Sequence, residues 1–420
     1  MPSNFVAVNS LFRPSSSLRV LKRTDAAILF IAFSLLFVSS ALAESRKLNA
    51  DFAQLSARAD TARDAGQLDQ AASLYRQALA HHPSWKEGWW SLGTILYDQN
   101  SYSAAARAFR RLVSYDPKNG TAHLMLALCQ YQLGVDDSAI KNIQAARKLG
   151  IKKDEQLEHV LQYHEGMLLL RKGRYEDSIE AMQLLVKQGV HSDDLDAALG
   201  MGALLVRPKE APVEGTVGRQ VFLRAGQAEA YGLLKKHDEG KKSYAALAQE
   251  FPAFPNIHYA YGRFLLGFDE LDEGIAQFQQ EIQNNPTHIR ARMRIAAADY
   301  RINSTAGIPY AQEVVKLQPS YPFGHYLLGL LYLDSGDIRR SIPQLEAAVH
   351  MVPQEAQFQF ALGSAYAKAG RKEDAARARS AFLRLQGNNR SPAGASANGQ
   401  PLHLDMPTGP PPGSEQRKQK

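Results

Sequence analysis

The hydrophobic positions of this chain fall into pairs of short segments with helical spacing. The clearest pair is residues 322–353, which read PFGHYLLGLLYLDSGDIRRSIPQLEAAVHMVP. Leu328 and Leu331 belong to an apolar stripe in its first half, and Ile338 and Ile342 belong to a second stripe after the break at SGD. Apolar residues three and four positions apart are typical of an amphipathic helix. The pattern therefore predicts two helices joined by a tight turn, each with an apolar face that a single pair cannot bury.

A glycine interrupts the first stripe of this pair, and a proline closes the second. Glycine inside a helix costs about 1 kcal/mol relative to alanine, so Gly329 predicts a point where another helix comes close. Closing prolines recur at intervals of 33 or 34 residues, with one gap of about four such intervals: Pro83, Pro117, Pro252, Pro286, Pro319 and Pro353. The chain is therefore predicted to consist of repeats that bury their apolar faces against one another.

Other positions of the repeat also carry recurrent residues. A large residue followed by glycine occupies the predicted crossing point at Leu92-Gly93, Tyr261-Gly262, Leu328-Gly329 and Leu362-Gly363. The second helix carries alanine and then an aromatic residue or leucine at Ala71, Ala105 and Ala375 and at Tyr75, Phe109, Tyr244, Phe278 and Leu345. With these residues the chain resembles the tetratricopeptide repeat, a helix pair of about 34 residues, from Asp51 to Leu385. The resemblance implies an all-α fold, a right-handed α-solenoid of stacked antiparallel helix pairs.

The sequence divides into three parts: a signal peptide over residues 1–43, a solenoid of about nine helix pairs over 44–386, and a tail over 387–420. The repeat pattern weakens after the fourth pair, where residues 207–218, RPKEAPVEGTVG, stand in place of a second helix. A loop of this length points either to a binding role or to a neutral surface insertion. The tail is rich in Gly, Pro, Ser, Asn and Gln, and this composition predicts disorder.

The first 43 residues have the composition of a secretory signal peptide. Three basic residues within 19–23 precede the apolar run AAILFIAFSLLFV over residues 26–38. Small residues two positions apart at the end of this segment match the pattern of a cleavage site, so cleavage is predicted between Ala43 and Glu44. The alternative is an uncleaved N-terminal anchor in the inner membrane, because residues 26–43 approach the roughly 20 needed to span a bilayer.

Charge and cysteine content narrow the expected partners. Of the formal net charge of +7, +3 lies in residues 1–43 and +2 in residues 387–420, which leaves +2 for the repeats. A nucleic-acid-binding protein concentrates positive charge on its folded surface, so nucleic acid is not an expected partner. Cys129 is the sole cysteine, which excludes an intramolecular disulfide. Its apolar neighbours predict a buried, unreactive thiol.

No stretch of the sequence has the spacing of a catalytic or cofactor site. His81, His82, His159 and His164 come nearest to a metal-ligand cluster, but the HExxH motif is missing. Solvated helix surfaces are the expected setting for these histidines. The repeats and the tail leave no segment for a separate catalytic domain. The sequence therefore predicts no catalytic residue, no metal site and no cofactor.

In tetratricopeptide arrays the first helices of the pairs line a concave groove that binds extended peptides or partner proteins. Carried over to this sequence, positions two, five, nine, twelve and thirteen of the repeats give the candidate binding residues. These are Glu87, Trp90, Thr94, Tyr97, Asp98, Leu124, Leu128, Tyr131, Gln132, Asn256, Tyr259, Arg263, Arg292, Asp299, Tyr300, Tyr326 and Asp334. Tyr, Trp and Arg dominate binding hot spots, which suits protein recognition. The alternative for each aromatic residue is packing between repeats.

These observations favour a non-enzymatic protein–protein interaction scaffold that binds a peptide or partner protein in the groove. The predicted signal segment places it in the periplasm or at the cell surface of a bacterial-type envelope. Contact with a membrane is expected only through that segment, if it is uncleaved. Two alternatives stay open: an accessory factor for outer-membrane protein assembly or polysaccharide export, and an envelope hydrolase with its site in residues 207–218. The pattern predicts no particular oligomeric state.

Overall fold

A computed structural model of the chain describes residues 47–151, 155–210, 215–302 and 305–389. Within these residues every regular element is a helix and no strand occurs. The predicted all-α fold is therefore confirmed, and it is a helical solenoid. The described residues form two compact units, which are divided between residues 152 and 153. The predicted signal peptide, its cleavage site between Ala43 and Glu44, and the tail beyond residue 389 lie outside the described residues.

The first unit is a succession of antiparallel helix pairs. Short turns join the two helices of a pair, and from α2 onward each helix packs against the next along the chain. Its helices are α1 (residues 47–64), α2 (Leu68–His81), α3 (Lys86–Asp98), α4 (Tyr102–Tyr115), α5 (Gly120–Gln132) and α6 (Asp136–Leu149). Odd-numbered helices of this unit are the first helices of their pairs, and even-numbered helices are the second.

The second unit continues this construction but includes one helix without a second helix of its own. Its helices are α7 (Glu155–Arg171), α8 (Tyr175–Lys187), α9 (Asp193–Ala203), α10 (Val217–Leu233), α11 (His237–Glu250), α12 (Ile257–Leu266), α13 (Leu271–Asn284), α14 (Ile289–Ile302), α15 (Gly307–Leu317), α16 (Pro322–Asp334), α17 (Ile338–Met351), α18 (Ala356–Lys368) and α19 (Lys372–Asn389). The pairs are α7 with α8 and then, from α10 onward, each even-numbered helix with the next.

The unpaired helix α9 packs closely along α10. A Cβ atom added at Gly226 of α10 would lie 1.8 Å from the carbonyl oxygen of Asp196 in α9, and one at Gly200 would lie 2.0 Å from that of Phe222. Only glycine permits backbones to come this close. Between the two helices, the described part of the irregular segment contains a single 3-10 turn, Pro208–Glu210.

Glycines at the crossing points of the helix pairs admit a large side chain from the second helix. An added Cβ would lie 2.7 Å from the Phe278 ring at Gly262 of α12, and 2.6 Å from Leu345 at Gly329 of α16. Carbon atoms in ordinary contact are about 3.5–4.0 Å apart. The close approach predicted at Gly329 is therefore confirmed.

In every helix pair except α14–α15, whose turn is only partly described, the turn passes through a left-handed backbone conformation. Gly336, between α16 and α17, has a φ of +84°, and non-glycine residues take similar values at Lys235 (+60°) and Asp269 (+61°). This conformation costs an L-residue roughly 1–2 kcal/mol. The break that the sequence marks at SGD is therefore a position where glycine relieves strain.

A repeated hydrogen bond ties each proline-closed turn to the helix that follows. In all six turns the side chain six residues after the proline donates an N–H to the proline carbonyl oxygen. The donor–acceptor pairs are Trp89–Pro83 (2.7 Å), His123–Pro117 (3.3 Å), His258–Pro252 (3.1 Å), Arg292–Pro286 (2.6 Å), His325–Pro319 (2.9 Å) and Gln359–Pro353 (3.4 Å). Because a carbonyl oxygen only accepts, Nε2 of each of these histidines carries the hydrogen.

Candidate functional site

The first-unit candidates on α3 lie along one side of the helix, because they are three or four residues apart. Glu87 and Asp98 are exposed, whereas Trp90, Thr94 and Tyr97 are partly buried. The Trp90 ring packs edge-on against a phenylalanine of α4, with ring centroids 5.8 Å apart. This contact fixes the orientation of the indole while part of it stays accessible.

The candidates on α5 separate into buried and accessible residues. Leu124 is fully buried and Leu128 is 5% exposed, so both belong to the core. Tyr131 is partly buried and Gln132 is exposed. A partner can therefore reach Tyr131 and Gln132, whereas Leu124 offers no surface.

Most second-unit candidates are buried. Tyr259 is fully buried, and Tyr300 and Tyr326 are 4% and 5% exposed. Tyr326 packs against Phe358 with ring centroids 4.7 Å apart. Burial thus favours the packing interpretation for these three tyrosines.

Two polar candidates make hydrogen bonds within the fold. Arg292 donates to the carbonyl oxygens of Pro286 at 2.6 Å and His288 at 3.2 Å. Asn256 donates to the carbonyl oxygen of Leu204 at 2.8 Å, and its own side-chain oxygen lies 2.8 Å from Nε2 of His288. The two bonds of Asn256 connect the start of α12 with the start of α14 and with the chain after α9.

His288 stands at the start of α14 and acts as its N-cap. Its Nδ1 accepts the backbone N–H of Ala291 at 2.9 Å, so Nε2 carries the hydrogen and donates to Asn256. Burial, together with the nearby charges of Arg290 and Arg292, lowers the pKa of His288 to about 4. The imidazole is therefore neutral at physiological pH, and its protonation would break the bond to Ala291.

Three candidates remain. Asp334 is exposed at the end of α16, whereas Asp299 of α14 is 5% exposed and burial raises the pKa of its carboxyl. Arg263 of α12 is the candidate that lines a cavity. This cavity, here called the inner pocket, has a volume of about 540 Å³ and lies among α8, α10, α12 and α14 of the second unit.

The inner pocket combines small, aromatic and charged side chains. Gly232, Ala297 and Ala298 leave space, and Phe264 and Phe268 form an aromatic wall. The two rings have centroids 4.9 Å apart. Nearly half of the lining residues are charged, and both signs are present. A concave site that combines aromatic rings with charged groups can bind a side chain of a partner.

A hydrogen-bonded ion pair stands on the α10 side of the pocket. The Arg263 guanidinium donates to one oxygen of Glu229, and the Tyr244 hydroxyl donates to the other, both at 2.9 Å. The side chains of Arg263 and Glu229 are 13% and 12% exposed, so the pair is largely shielded from solvent. Burial acts against the charge of Arg263, but the attraction of Glu229 outweighs it and raises the pKa of the guanidinium above its ordinary value. The arginine is therefore held in its charged form.

A second ion pair joins helices that are far apart in the chain. Arg290 of α14 donates to Glu176 of α8 at 2.7 Å, and its guanidinium lies 5.7 Å from the centroid of the Tyr175 ring. Burial alone would raise the pKa of Glu176, but Arg290, with weaker contributions from Arg263 and Arg294, lowers it below its ordinary value. This pair links α8 to α14 beside the pocket.

The groove positions of the first helices did not include Glu176, Glu229 or Arg290. Glu176 belongs to a second helix, and its partner is 114 residues away, so spacing along one helix could not find it. The sequence nonetheless contains a pattern that indicates buried ion pairs. Arginines alternate in the sequence RARMR at the start of α14, among residues that are mainly buried. Buried cations require partners, so such a run predicts an ion network.

The described part of the chain contains no helix that is both long enough and apolar enough to cross a bilayer. Nor does any group of three or more His, Cys, Asp or Glu side chains there have the arrangement of a metal site. Cys129 is fully buried, and burial raises the pKa of its thiol to about 12. The predicted burial of this thiol is confirmed.

Comparison with known proteins identifies the repeats over part of the chain. The tetratricopeptide repeat family model matches residues 56–106, 91–154 and 326–390. The human protein O-mannosyl-transferase TMTC3 is 22% identical over 297 residues, which is 69% of this chain and 28% of that protein. The chain thus spans less than a third of the length of this relative.

Several solved structures are also similar. MamA from Desulfovibrio magneticus RS-1 is 22% identical over 40% of this chain and 96% of its own, with a TM-score of 0.35. YrrB, described as a TPR protein with an unusual peptide-binding site, is 14% identical over 40% of this chain and 87% of its own, with a TM-score of 0.36. Yeast Tom70 is 11% identical over 81% of this chain and 85% of its own, with a TM-score of 0.35. At these TM-scores we draw no correspondence between individual residues.

Proposed function

Because this chain is a tetratricopeptide-repeat protein, we propose that it is a non-enzymatic scaffold that binds a partner protein through the inner faces of its first helices. The inner pocket of the second unit is the observation that carries the proposal. A fold alone does not define a function. The aromatic wall, the small residues and the ionised pairs of this pocket are groups that can receive side chains of a partner.

The size of the inner pocket suits one or two side chains of an extended segment. Its volume of about 540 Å³ lies within the range of roughly 300–1,000 Å³ that is usual for ligand pockets. At its accessible edge, Glu180 is exposed and the side chain of Arg301 is 52% exposed. An apolar side chain inserted between Phe264 and Ala298 would therefore be flanked by charges of both signs.

Site-specific photo-crosslinking tests this proposal. A photoreactive residue at Glu180 is expected to give a discrete crosslinked product with one partner protein in extracts of the producing cells. Glu239, an exposed residue of α11 that does not line the pocket, is the matched control and should give no such product. Identical products at both positions, or none at Glu180, would refute the proposal. The identity of the partner distinguishes a general scaffold from an accessory factor in outer-membrane protein assembly or polysaccharide export.

We also propose that the chain itself catalyses no reaction. Mannosyl transfer is the competing activity, because the human relative is a protein O-mannosyl-transferase, but the aligned region is only 28% of that protein. Purified chain incubated with a mannosyl donor and acceptor peptides is expected to transfer no sugar. Time-dependent transfer that scales with the amount of chain would contradict this proposal.

For its location we propose export across the cytoplasmic membrane, with cleavage between Ala43 and Glu44. The order of basic, apolar and small residues within 19–43 supports this proposal. Mass spectrometry of the envelope fraction is expected to find a chain that begins at Glu44. An intact Met1 terminus on a chain that is not associated with the membrane would count against export.

A further inference from the structure

The accessible side of α3 in the first unit has a chemistry that the repeat core does not require. This α3 face consists of Glu87, Trp90, Thr94, Tyr97 and Asp98, and its first and last residues are exposed. We propose that the α3 face binds a basic, extended segment of a partner protein. The proposal rests on the proposed function, because α3 is a first helix. It concerns a different unit from the inner pocket, so binding at the α3 face and binding at the pocket can fail separately.

Two exposed carboxylates stand at the ends of the α3 face. Neither Glu87 nor Asp98 forms an ion pair or a side-chain hydrogen bond with the described part of the chain. The nearby cations have acidic partners already: Arg63 pairs at 3.2 Å and Lys86 at 3.5 Å. The α3 face therefore presents negative charge that no neighbouring side chain neutralises.

Two aromatic rings, those of Trp90 and Tyr97, lie between these carboxylates on α3. Trp90 is fixed edge-on against Phe109, and Tyr97 lies edge-on to Tyr102 with ring centroids 5.4 Å apart. The faces of Trp and Tyr rings attract Lys and Arg side chains, and Trp does so most strongly. A cation beside Trp90 would also be one helical turn from Glu87, so the ring and the carboxylate attract the same group. An acidic or purely apolar segment would gain from only part of this arrangement.

The distance between the two carboxylates determines the length of the extended segment that can reach both. Glu87 and Asp98 are 11 residues apart on α3, which corresponds to about 16 Å along a helix axis. An extended chain covers this distance in about five residues. Because the side chains of an extended chain alternate between its two faces, two basic side chains four residues apart both point towards α3. Their length makes up the few remaining ångströms, so they can reach both carboxylates while the backbone passes over the rings.

Tryptophan fluorescence reports on this face, because the three tryptophans of the chain, Trp85, Trp89 and Trp90, all lie at the start of α3. The probe is a synthetic nine-residue peptide with lysine at its second and sixth positions, which share one face of an extended chain, and serine and glycine elsewhere. The control peptide has glutamate at the same two positions. Titration of the full chain is expected to give a saturable fluorescence change with the lysine peptide and none with the glutamate peptide. Binding should weaken as salt is added, since exposed charges are screened.

Variants of the two carboxylates assign the binding to this face. Glu87→Gln and Asp98→Asn are each expected to weaken binding about two- to fivefold, the range for an exposed ion pair, and about tenfold together. Glu239→Gln removes an exposed carboxylate from the second unit and should leave the affinity unchanged. Circular dichroism confirms that each variant is folded. Equal binding of both peptides, or an unchanged affinity in the double variant, overturns the proposal.

The chain has a basic segment of its own, QRKQK at residues 416–420. Replacing Arg417, Lys418 and Lys420 with glutamine is expected to leave the affinity for the lysine peptide unchanged. A severalfold rise in affinity would show that this segment already occupies the α3 face. That result would overturn the assignment of the face to a partner protein.

Discussion

The substitution Gly262→Ala tests how tightly the helix pairs are packed. Gly262 lies where α12 crosses α13, and an added Cβ would be 2.7 Å from the Phe278 ring and 3.0 Å from the carbonyl oxygen of Gly274. The ring is fully buried, and the second contact is to backbone. Neither neighbour can move away unless α13 shifts as a whole.

The equivalent glycine of the last helix pair provides a matched control. At Gly363 an added Cβ meets nothing closer than the Cβ of Ala378 at 3.4 Å, which is ordinary contact. Because glycine is unfavourable inside a helix by about 1 kcal/mol, Gly363→Ala is expected to raise the free energy of unfolding by about 0.5–1 kcal/mol. Gly262→Ala has the same gain but overpacks the crossing, which costs roughly 1–3 kcal/mol. Its free energy of unfolding should therefore lie about 1–3 kcal/mol below that of Gly363→Ala.

Urea unfolding followed by circular dichroism measures this difference. Both substitutions lie in the second unit, so they affect the same transition and their midpoints can be compared at a common slope. If Gly262→Ala proves as stable as Gly363→Ala, the crossing has room for a methyl group and the reasoning from close approach is refuted.

Three further predictions concern titratable groups that are buried or partly buried. Because the pKa of His288, about 4, lies below the ordinary value of about 6.5, the unfolded chain takes up a proton first as the pH falls. Stability should be lost between roughly pH 6.5 and 4, by about 3 kcal/mol. His288→Asn keeps a capping acceptor and should flatten the pH dependence of the urea midpoint; an unchanged dependence would assign the loss elsewhere. Glu176→Gln and Arg290→Gln should each lower the free energy of unfolding by about 2 kcal/mol, and the double variant by less than the sum, whereas additive losses would show that the two side chains are uncoupled. The Cys129 thiol, which burial keeps protonated, should react with a thiol reagent at pH 8 only after unfolding, and rapid labelling of the folded chain would contradict its position.

The repeat register could be predicted from sequence because it depends on local rules. Gly329 marks a close crossing, Pro353 ends a helix pair, and Gly336 takes the left-handed turn between two helices. Each of these features follows from the conformational preferences of one residue type, so the sequence of a single repeat is enough to predict it. The number and arrangement of contacts between pairs then follow from stacking.

The accessible surface could not be predicted in the same way. Tyr259 and Tyr326 stand at positions expected to face the groove, yet both are buried because rings from neighbouring helices pack against them. Spacing along one helix identifies a face but not what covers it. The pairing of Arg290 with Glu176 depends on how helices 114 residues apart come together, and no local pattern contains that information.

Two histidines that donate to a closing proline differ from His288 in the group that their Nδ1 faces. His258 and His325 commit Nε2–H to a proline carbonyl, while Nδ1 lies 2.7 Å from the side-chain amide of Gln277 or Gln344. An amide can rotate to offer either its N–H or its oxygen, so both ring nitrogens keep a hydrogen-bond partner. His288 has no such freedom, because its Nδ1 faces a backbone N–H that cannot turn. Acid is thus expected to loosen the second unit at the start of α14, beside the turn that Pro286 closes.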